Sequence, residues 1–192
     1  MKVLAMLVAV LAAGAFAQAP KQKAPAAPGT ENPPRAAEFP PDWTDQLASR
    51  HEAISTEKTR IHVLRLRPGD DLLGAIRAYV QAKHIQAAVV LSAVGSLTQA
   101  SIRFANQPDT NVRTGHFEIV SITGTVEEGG EHVHLSISTE HGETIGGHLV
   151  SGCRIYTTAE VTLAELEGVR FARELDKEGS GWEELKVYPV NQ

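Results

Sequence analysis

Cysteine is all but missing from this 192-residue chain: only Cys153 is present. One thiol cannot close a disulfide within the chain. Aromatic residues are also scarce, at 5%, which leaves few platforms on which single-stranded nucleic acid could stack. There is no basic excess either, with 18 Lys and Arg against 23 Asp and Glu and a net charge of −5 with histidine neutral. A nucleic-acid binder concentrates its cations on one face, whereas "RIHVLRLR" and "VRFAREL" intersperse them with apolar residues, the pattern of solvated strand edges. No apolar run is long enough to cross a bilayer as a stable helix. A G-x-S-x-G elbow, a P-loop and a dinucleotide fingerprint are all lacking, so acyl-serine and phosphoryl-transfer chemistry have no support.

What is present begins with "MKVLAMLVAVLAAGAFAQAP". A positive start at Lys2, an apolar run from Val3 to Ala13 and small residues at Ala15 and Ala17 predict a signal peptide over residues 1–17, cleaved before Gln18. A lipoprotein would carry cysteine at the cleavage point, so the expectation is a secreted or periplasmic chain without a membrane anchor. Removing Lys2 leaves 17 basic against 23 acidic side chains, a net charge of −6. Residues 18–58 form an Ala/Pro-rich leader and linker, holding 7 of the 10 prolines between Gln18 and Pro41, with weak helical periodicity over Asp42 to Ser55. The folded domain is expected over residues 59–188, about 130 residues around a single core.

Within it, "RIHVLRLR" reads as a strand stopped by Pro68 and Gly69. "DDLLGAIRAYVQAKH" reads as an amphipathic helix capped by Asp70 or Asp71, with Leu72, Leu73, Ile76, Tyr79 and Val80 on one face. "AAVVLSAV" is a continuous apolar run suited to the centre of a sheet, with Gly95 ending it. Thereafter "ASIRFAN", "HFEIVSITGTV", "HVHLSIS", "TIGGHLV", "RIYTTAEVTLAEL" and "VRFAREL" are strand-like runs between turn signals. The predicted fold class is α+β: a mixed, mainly antiparallel β-sheet with one principal amphipathic helix in a single domain.

The chemistry-bearing residues are histidines. On a strand, His132 and His134 share one face while Val133, Leu135 and Ile137 share the other. That pair is either a solvated strand face or half of a metal site. The turn "TEHGE" folds the next strand back antiparallel, so pairing could bring His148 beside them. Gly146 and Gly147 clear space there for a ligand, a metal-bound water or a neighbouring backbone. Three imidazoles with one open position suit zinc, copper, nickel or iron better than calcium or magnesium. His141 belongs to the turn and points away. His62, His84 and His116 lack partners in sequence, and His51 precedes the domain. Cys153 is a fourth ligand, a nucleophile or a small buried hydrophobe. Glu160 is the candidate catalytic acid or base, or simply a polar group on a half-buried strand.

The order "LRPGDDLLGAI", "VVLSAVGSL", "HFEIVSITGTV", "HVHLSIS", "GGHLVSGCRIYTTAEV" and "REL" resembles the plant-and-prokaryote-conserved (PPC) domain over about residues 59 to 187. "GGHLVSGC" followed by "TTAE" is its most distinctive part. The resemblance implies a compact α+β domain assembling as a homotrimer. Plant relatives join this domain to Arg-Gly-Arg-Pro segments that bind the minor groove. This chain has no such segment, so no nucleic-acid partner is expected. Fold-level similarity to zinc-dependent acetolactate decarboxylases implies His132, His134 and His148 as zinc ligands. Two functions follow: a trimeric zinc-binding module for a small ligand, or a zinc-dependent lyase or hydrolase acting on a small carbonyl or carboxylate substrate.

Overall fold

A computed structural model describes residues 54–177 and 180–190. The expected signal peptide and leader, most of the Asp42 to Ser55 stretch and His51 lie outside the described residues. In chain order the elements are β1 (Thr59–Leu66), α1 (Leu72–Ala82), β2 (Ala88–Arg103), β3 (Thr110–Glu127), β4 (Gly130–Ser138), β5 (Thr144–Leu149), β6 (Arg154–Leu166), β7 (Val169–Leu175) and β8 (Glu183–Pro189).

Six strands form one sheet in the order β1-β6-β2-β3-β4-β5, and β7 with β8 forms a second, two-stranded sheet. Every pairing between these strands is antiparallel. β2 is long enough to serve two neighbours on one side. Its first part pairs with β6, while Ile102 and Arg103 at its end pair with Leu149 and His148 of β5. That last pairing closes β2, β3, β4 and β5 into a ring, leaving β6 and β1 to extend the sheet outward.

The helix forms where its local signals lie. Asp71 has an extended backbone and its Oδ1 accepts from the Gly74 amide at 2.8 Å, satisfying a donor with no partner inside the helix. Its Oδ2 accepts from the Gly152 amide, tying the helix start to the β5–β6 connection. Leu72, Leu73, Ile76 and Val80 are buried against the sheet. At the other end His84 takes a left-handed conformation, φ 53°, while the Ile85 amide reaches back to the Val80 carbonyl and the His84 amide to that of Gln81. These two bonds close the helix as a Schellman motif, with histidine where glycine is usual. The core beneath is made by alternating strand residues, including Val133, Leu135 and Ile137 of β4, Leu149 of β5, and Ile155, Val161 and Leu163 of β6.

Three details depart from the sequence reading. β2 does not stop at Gly95 but runs on to Arg103. Gly95 has φ +151°, and a Cβ there would lie 2.2 Å from the Thr158 carbonyl oxygen, so glycine lets the strand cross close to β6 instead of ending it. β8, "EELKVYP", was not among the strand-like runs; its pairing with β7 makes it a strand despite its charged residues. Arg173 does not sit at a solvated edge: its side chain is 14% exposed and bonds to buried Glu127 at 3.0 Å.

Cys153 is fully buried, 0% exposed, and exchanges weak bonds with the Ser101 backbone, accepting from its amide at 3.2 Å. It is neither ligand nor nucleophile but core. Burial raises its pKa to about 11, because a thiolate would lose its hydration there. The unfolded thiol ionises from about pH 8.5, so between that pH and 11 the unfolded state has lost a proton that the native state keeps. Native stability should therefore fall as pH rises through this window. Native protein at pH 7.5 should leave a thiol reagent unreacted for as long as it stays folded, and denaturant should release one thiol per chain at once; rapid native labelling would contradict the burial. Gly124 makes a sharper prediction. Its φ is +150° and a Cβ would lie 2.1 Å from the His132 carbonyl oxygen, so Gly124→Ala forces β3 and β4 apart. We expect a loss of about 2 kcal/mol or more in denaturant unfolding; an unchanged midpoint would show that the strands separate without cost.

Candidate metal centre

β4 alternates as its sequence requires. Val133, Leu135 and Ile137 are buried and His132 and His134 are exposed on the opposite face. The turn after it is closed by the Thr139 amide bonding to the Glu143 carbonyl and the Gly142 amide to that of Thr139, each at 2.9 Å. Gly142 supplies the left-handed residue, φ 79°, that the turn needs. The chain returns as β5 in a register that sets His148 directly opposite His134, Leu135 opposite Gly147 and Ile137 opposite Ile145. Directly paired residues point to the same face, so the third imidazole joins the first two.

The rings form a tight cluster. Centroids lie 5.0 Å apart for His132 and His134, 4.9 Å for the stacked His132 and His148, and 4.5 Å for His134 and His148. The two Nε2 atoms of His132 and His134 are 3.2 Å apart. One ligand nitrogen from each of the three falls within 4.8 Å of the others, and no other Cys, Asp, Glu or His joins this group among the described residues. A tetrahedral metal with bonds of about 2.0–2.1 Å needs donor separations of roughly 3.3–3.4 Å. One pair already meets that spacing, and the rest is within side-chain adjustment.

Burial and neighbouring charge favour the neutral form of His132 and His148. The pKa of His132 is lowered first by burial, then by the charges of His134, Arg173 and Arg103, against the pull of Glu184. His148 is lowered by burial and then by Arg103, His134 and His132. A neutral imidazole is the form that can ligate a metal. Two arginines thus belong to the surroundings of the site, and the sequence reading missed both as neighbours. Arg103 pairs across from His148 on β2. Arg173 of β7 donates to Glu127 at 3.0 Å and to the Thr125 hydroxyl at 2.6 Å, and Thr125 lies opposite His132. Strand alternation could name the face each occupies, but only the register says which faces meet.

The glycines act on backbone. A Cβ at Gly147 would lie 2.6 Å from the Arg103 carbonyl oxygen, and one at Gly146 would lie 2.9 Å from that of Leu135. Of the three uses considered for this space, close strand approach is the one observed.

The remaining histidines go elsewhere. His141 is exposed in the turn beside Glu140. His62 is held between the Tyr79 hydroxyl at 2.9 Å and Glu165 at 3.0 Å, linking β1, α1 and β6. His84 contacts Glu128 at 2.9 Å, and His116 lies against the Tyr156 ring at 4.4 Å. Glu160 is exposed on β6, paired with Arg65 and Val94. Its partner on β2, Val94, lies nine residues before Arg103, the residue paired with His148, so Glu160 does not join the imidazole cluster.

The Plants and Prokaryotes Conserved (PCC) domain matches residues 53–167, more than half of the chain. A curated relative, the bifunctional protein GlmU of Synechococcus, is 39% identical over 152 residues, or 78% of this chain. The match spans only 24% of that relative's length. Among solved structures, a hypothetical protein from Salmonella cholerae-suis is 36% identical with a TM-score of 0.69, covering 72% of this chain and 99% of that one. A metal-containing protein from Archaeoglobus fulgidus is 28% identical with a TM-score of 0.61, covering 71% of this chain and 99% of that one. A protein from Bacteroides thetaiotaomicron with a provisional DNA-binding description, covering 69% of this chain and 98% of that one, has a TM-score of 0.58. At 18% identity it shares the fold alone.

Proposed function

The chain belongs to the Plants and Prokaryotes Conserved domain family, and we propose that it is a metal-binding module for a small ligand, with His132, His134 and His148 as the ligands of one zinc ion. The observation that carries this reading is the convergence of three imidazole nitrogens within 4.8 Å on one sheet face. Such close approach of three basic groups has little purpose on a merely solvated face, where the rings would spread into water. A nitrogen-only donor set suits a borderline-soft transition metal, and zinc accepts three such ligands with one position left for water or a ligand. The metal-containing relative from Archaeoglobus fulgidus adds support from the same fold.

A metal-dependent lyase or hydrolase, by analogy with zinc-dependent acetolactate decarboxylases, is the second reading. An open coordination position favours it, because zinc there would polarise a carbonyl or lower the pKa of bound water. It also needs a proton-transfer group at the site, and Glu160, exposed on β6 and outside the imidazole group, does not supply one. The module is therefore the better supported of the two.

The oligomeric part of the proposal is a homotrimer. Its main support is the resemblance to the family, and a second is the set of apolar side chains left exposed on the sheet: Ile61 and Val63 on β1, Leu91 and Val94 on β2, Val120 on β3 and Tyr156 on β6, with Val63 the most open of these at 73%. In a closed ring of three copies such a face is covered by a heterologous contact, each copy presenting one patch to a different patch of the next. A nucleic-acid partner is not proposed, since the charge balance is acidic.

Metal analysis of single variants tests the site. His132→Ala, His134→Ala and His148→Ala should each weaken zinc binding beyond the roughly 10–100-fold typical of losing an outer-shell partner, while His141→Ala leaves it unchanged. Protons compete for the same nitrogens, and because burial and nearby charge lower His132 and His148, affinity should fall as pH drops below about 6.5. Unchanged metal content in all three variants would restore the solvated-face reading. For the assembly, light scattering on the eluting protein should give three times the chain mass; a stable monomer at micromolar concentration would remove the trimer.

A further inference from the structure

The β3–β4 turn, the C-terminal half of α1, β7 and the start of β8 enclose a cavity of about 460 Å³, and none of the three clustered histidines lines it. Its charged lining is four carboxylates, Glu127, Glu128, Glu131 and Glu183, against two guanidiniums, Arg77 and Arg173, a net charge of −2. Both cations are already engaged. Arg77 donates to both oxygens of Glu131, from its Nε at 2.8 Å, and Arg173 donates from its Nε to Glu127 Oε1 at 3.0 Å. Glu128 has the His84 ring at 2.9 Å, whereas the Glu183 side chain meets no hydrogen-bond or ion-pair partner among the described residues. A second cavity of about 470 Å³ shares Glu127, Glu128 and Glu183 with the first and adds Arg170, whose guanidinium lies over the Tyr188 ring at 4.3 Å.

Glu127 is the residue that points to a ligand. Its side chain is 3% exposed, and while Oε1 accepts from Arg173, Oε2 is buried without any hydrogen-bond partner. A carboxylate oxygen held in this way costs free energy until a donor reaches it. Its terminal torsion is soft, so a small rotation presents Oε2 to the cavity that the side chain lines. The donor that fits is a point charge. A guanidinium fork needs both carboxylate oxygens, and Arg173 occupies one, whereas an ammonium group donates from a single centre. A bare metal ion fits less well, because among the described residues only the three imidazoles converge closely enough, in threes or more, to hold one. Glu183 supplies a second carboxylate to the same cavity, and Gly129 and Gly130 place no side chain in it. We propose that this cavity binds a linear primary diamine, with one ammonium on Glu127 Oε2 and the other on Glu183. The site shares no residue with the histidine cluster and stands or falls independently of the metal.

Isothermal titration calorimetry on the full chain tests this, with 1,4-diaminobutane, butylamine and calcium chloride titrated separately at one ionic strength. The diamine should bind, and butylamine and calcium should each bind about tenfold or more weakly, the first for want of a second ammonium and the second for want of converging oxygens. Glu127→Gln and Glu183→Gln should each weaken the diamine about tenfold or more. Glu183 is exposed, so its variant keeps the test decisive if loss of the Arg173 partner unfolds Glu127→Gln. Glu140→Gln, in the β4–β5 turn, and His148→Ala should bind the diamine as the unsubstituted protein does. Absence of any binding at millimolar diamine overturns the proposal, as does a folded Glu183→Gln protein of unchanged affinity. Butylamine binding as tightly as the diamine removes the two-headed ligand. Calcium binding more tightly than the diamine replaces it with a metal site. An equal loss in Glu140→Gln reduces the effect to diffuse attraction by an acidic surface, and a loss in His148→Ala moves the binding to the imidazole cluster; either result ends the assignment to this cavity.

Discussion

The register of the β4–β5 hairpin is the constraint on which the candidate site depends. Alternation along a strand means that a slip of one residue moves every side chain to the other face. Here Leu135, Ile137, Ile145 and Leu149 turn inward, and the same register turns His134 and His148 outward opposite one another. Burial of the apolar set therefore holds the imidazoles in place, and a shift that scattered the histidines would also expose the core. Tight backbone approach reinforces this. Gly147 lies against the Arg103 carbonyl and Gly124 against that of His132, and side chains at either would push apart strands that carry the site.

Ring closure between β2 and β5 adds what the hairpin cannot. Pairing of Ile102 with Leu149 continues the core across the junction, and its outward neighbour pair is Arg103 with His148. A positive side chain thus comes to lie beside His148 from a strand more than forty residues before it in the chain. On the other flank, the two-stranded sheet contributes Arg173, whose ion pair with Glu127 is largely removed from water. Breaking such a pair leaves a buried charge uncompensated, so this contact fixes β7 against β3 more than it adds net stability. The cluster is consequently bordered by two arginines of different standing, one engaged and one free among the described residues.

Legibility in the sequence followed the range of each interaction. The helix could be read because its cap, Asp71, and its apolar stripe are local, and the face of β4 could be read because alternation is local too. Gly95 misled for an intelligible reason: glycine is a common breaker, but here its missing side chain admits β6 at close quarters. β8 carries two glutamates and a lysine in seven residues and resembles a loop until β7 is beside it. Cys153 admits a ligand or nucleophile role beside that of a small buried hydrophobe in sequence, and the core around it and the Ser101 backbone select the last.

By itself the sequence determined the fold class, the position of the helix, and the face of β4 that carries His132 and His134. These are properties of spacing within a segment, which a one-dimensional pattern carries in full. The tertiary structure alone decided that His148 stands opposite His134 and not one residue aside, that Arg103 joins their row, that Arg173 is buried, and that Glu160 is excluded. Those outcomes depend on registers between strands distant in the chain, as with Thr59 and Leu166, where many pairings satisfy the same local pattern and only the packing of the whole core selects one.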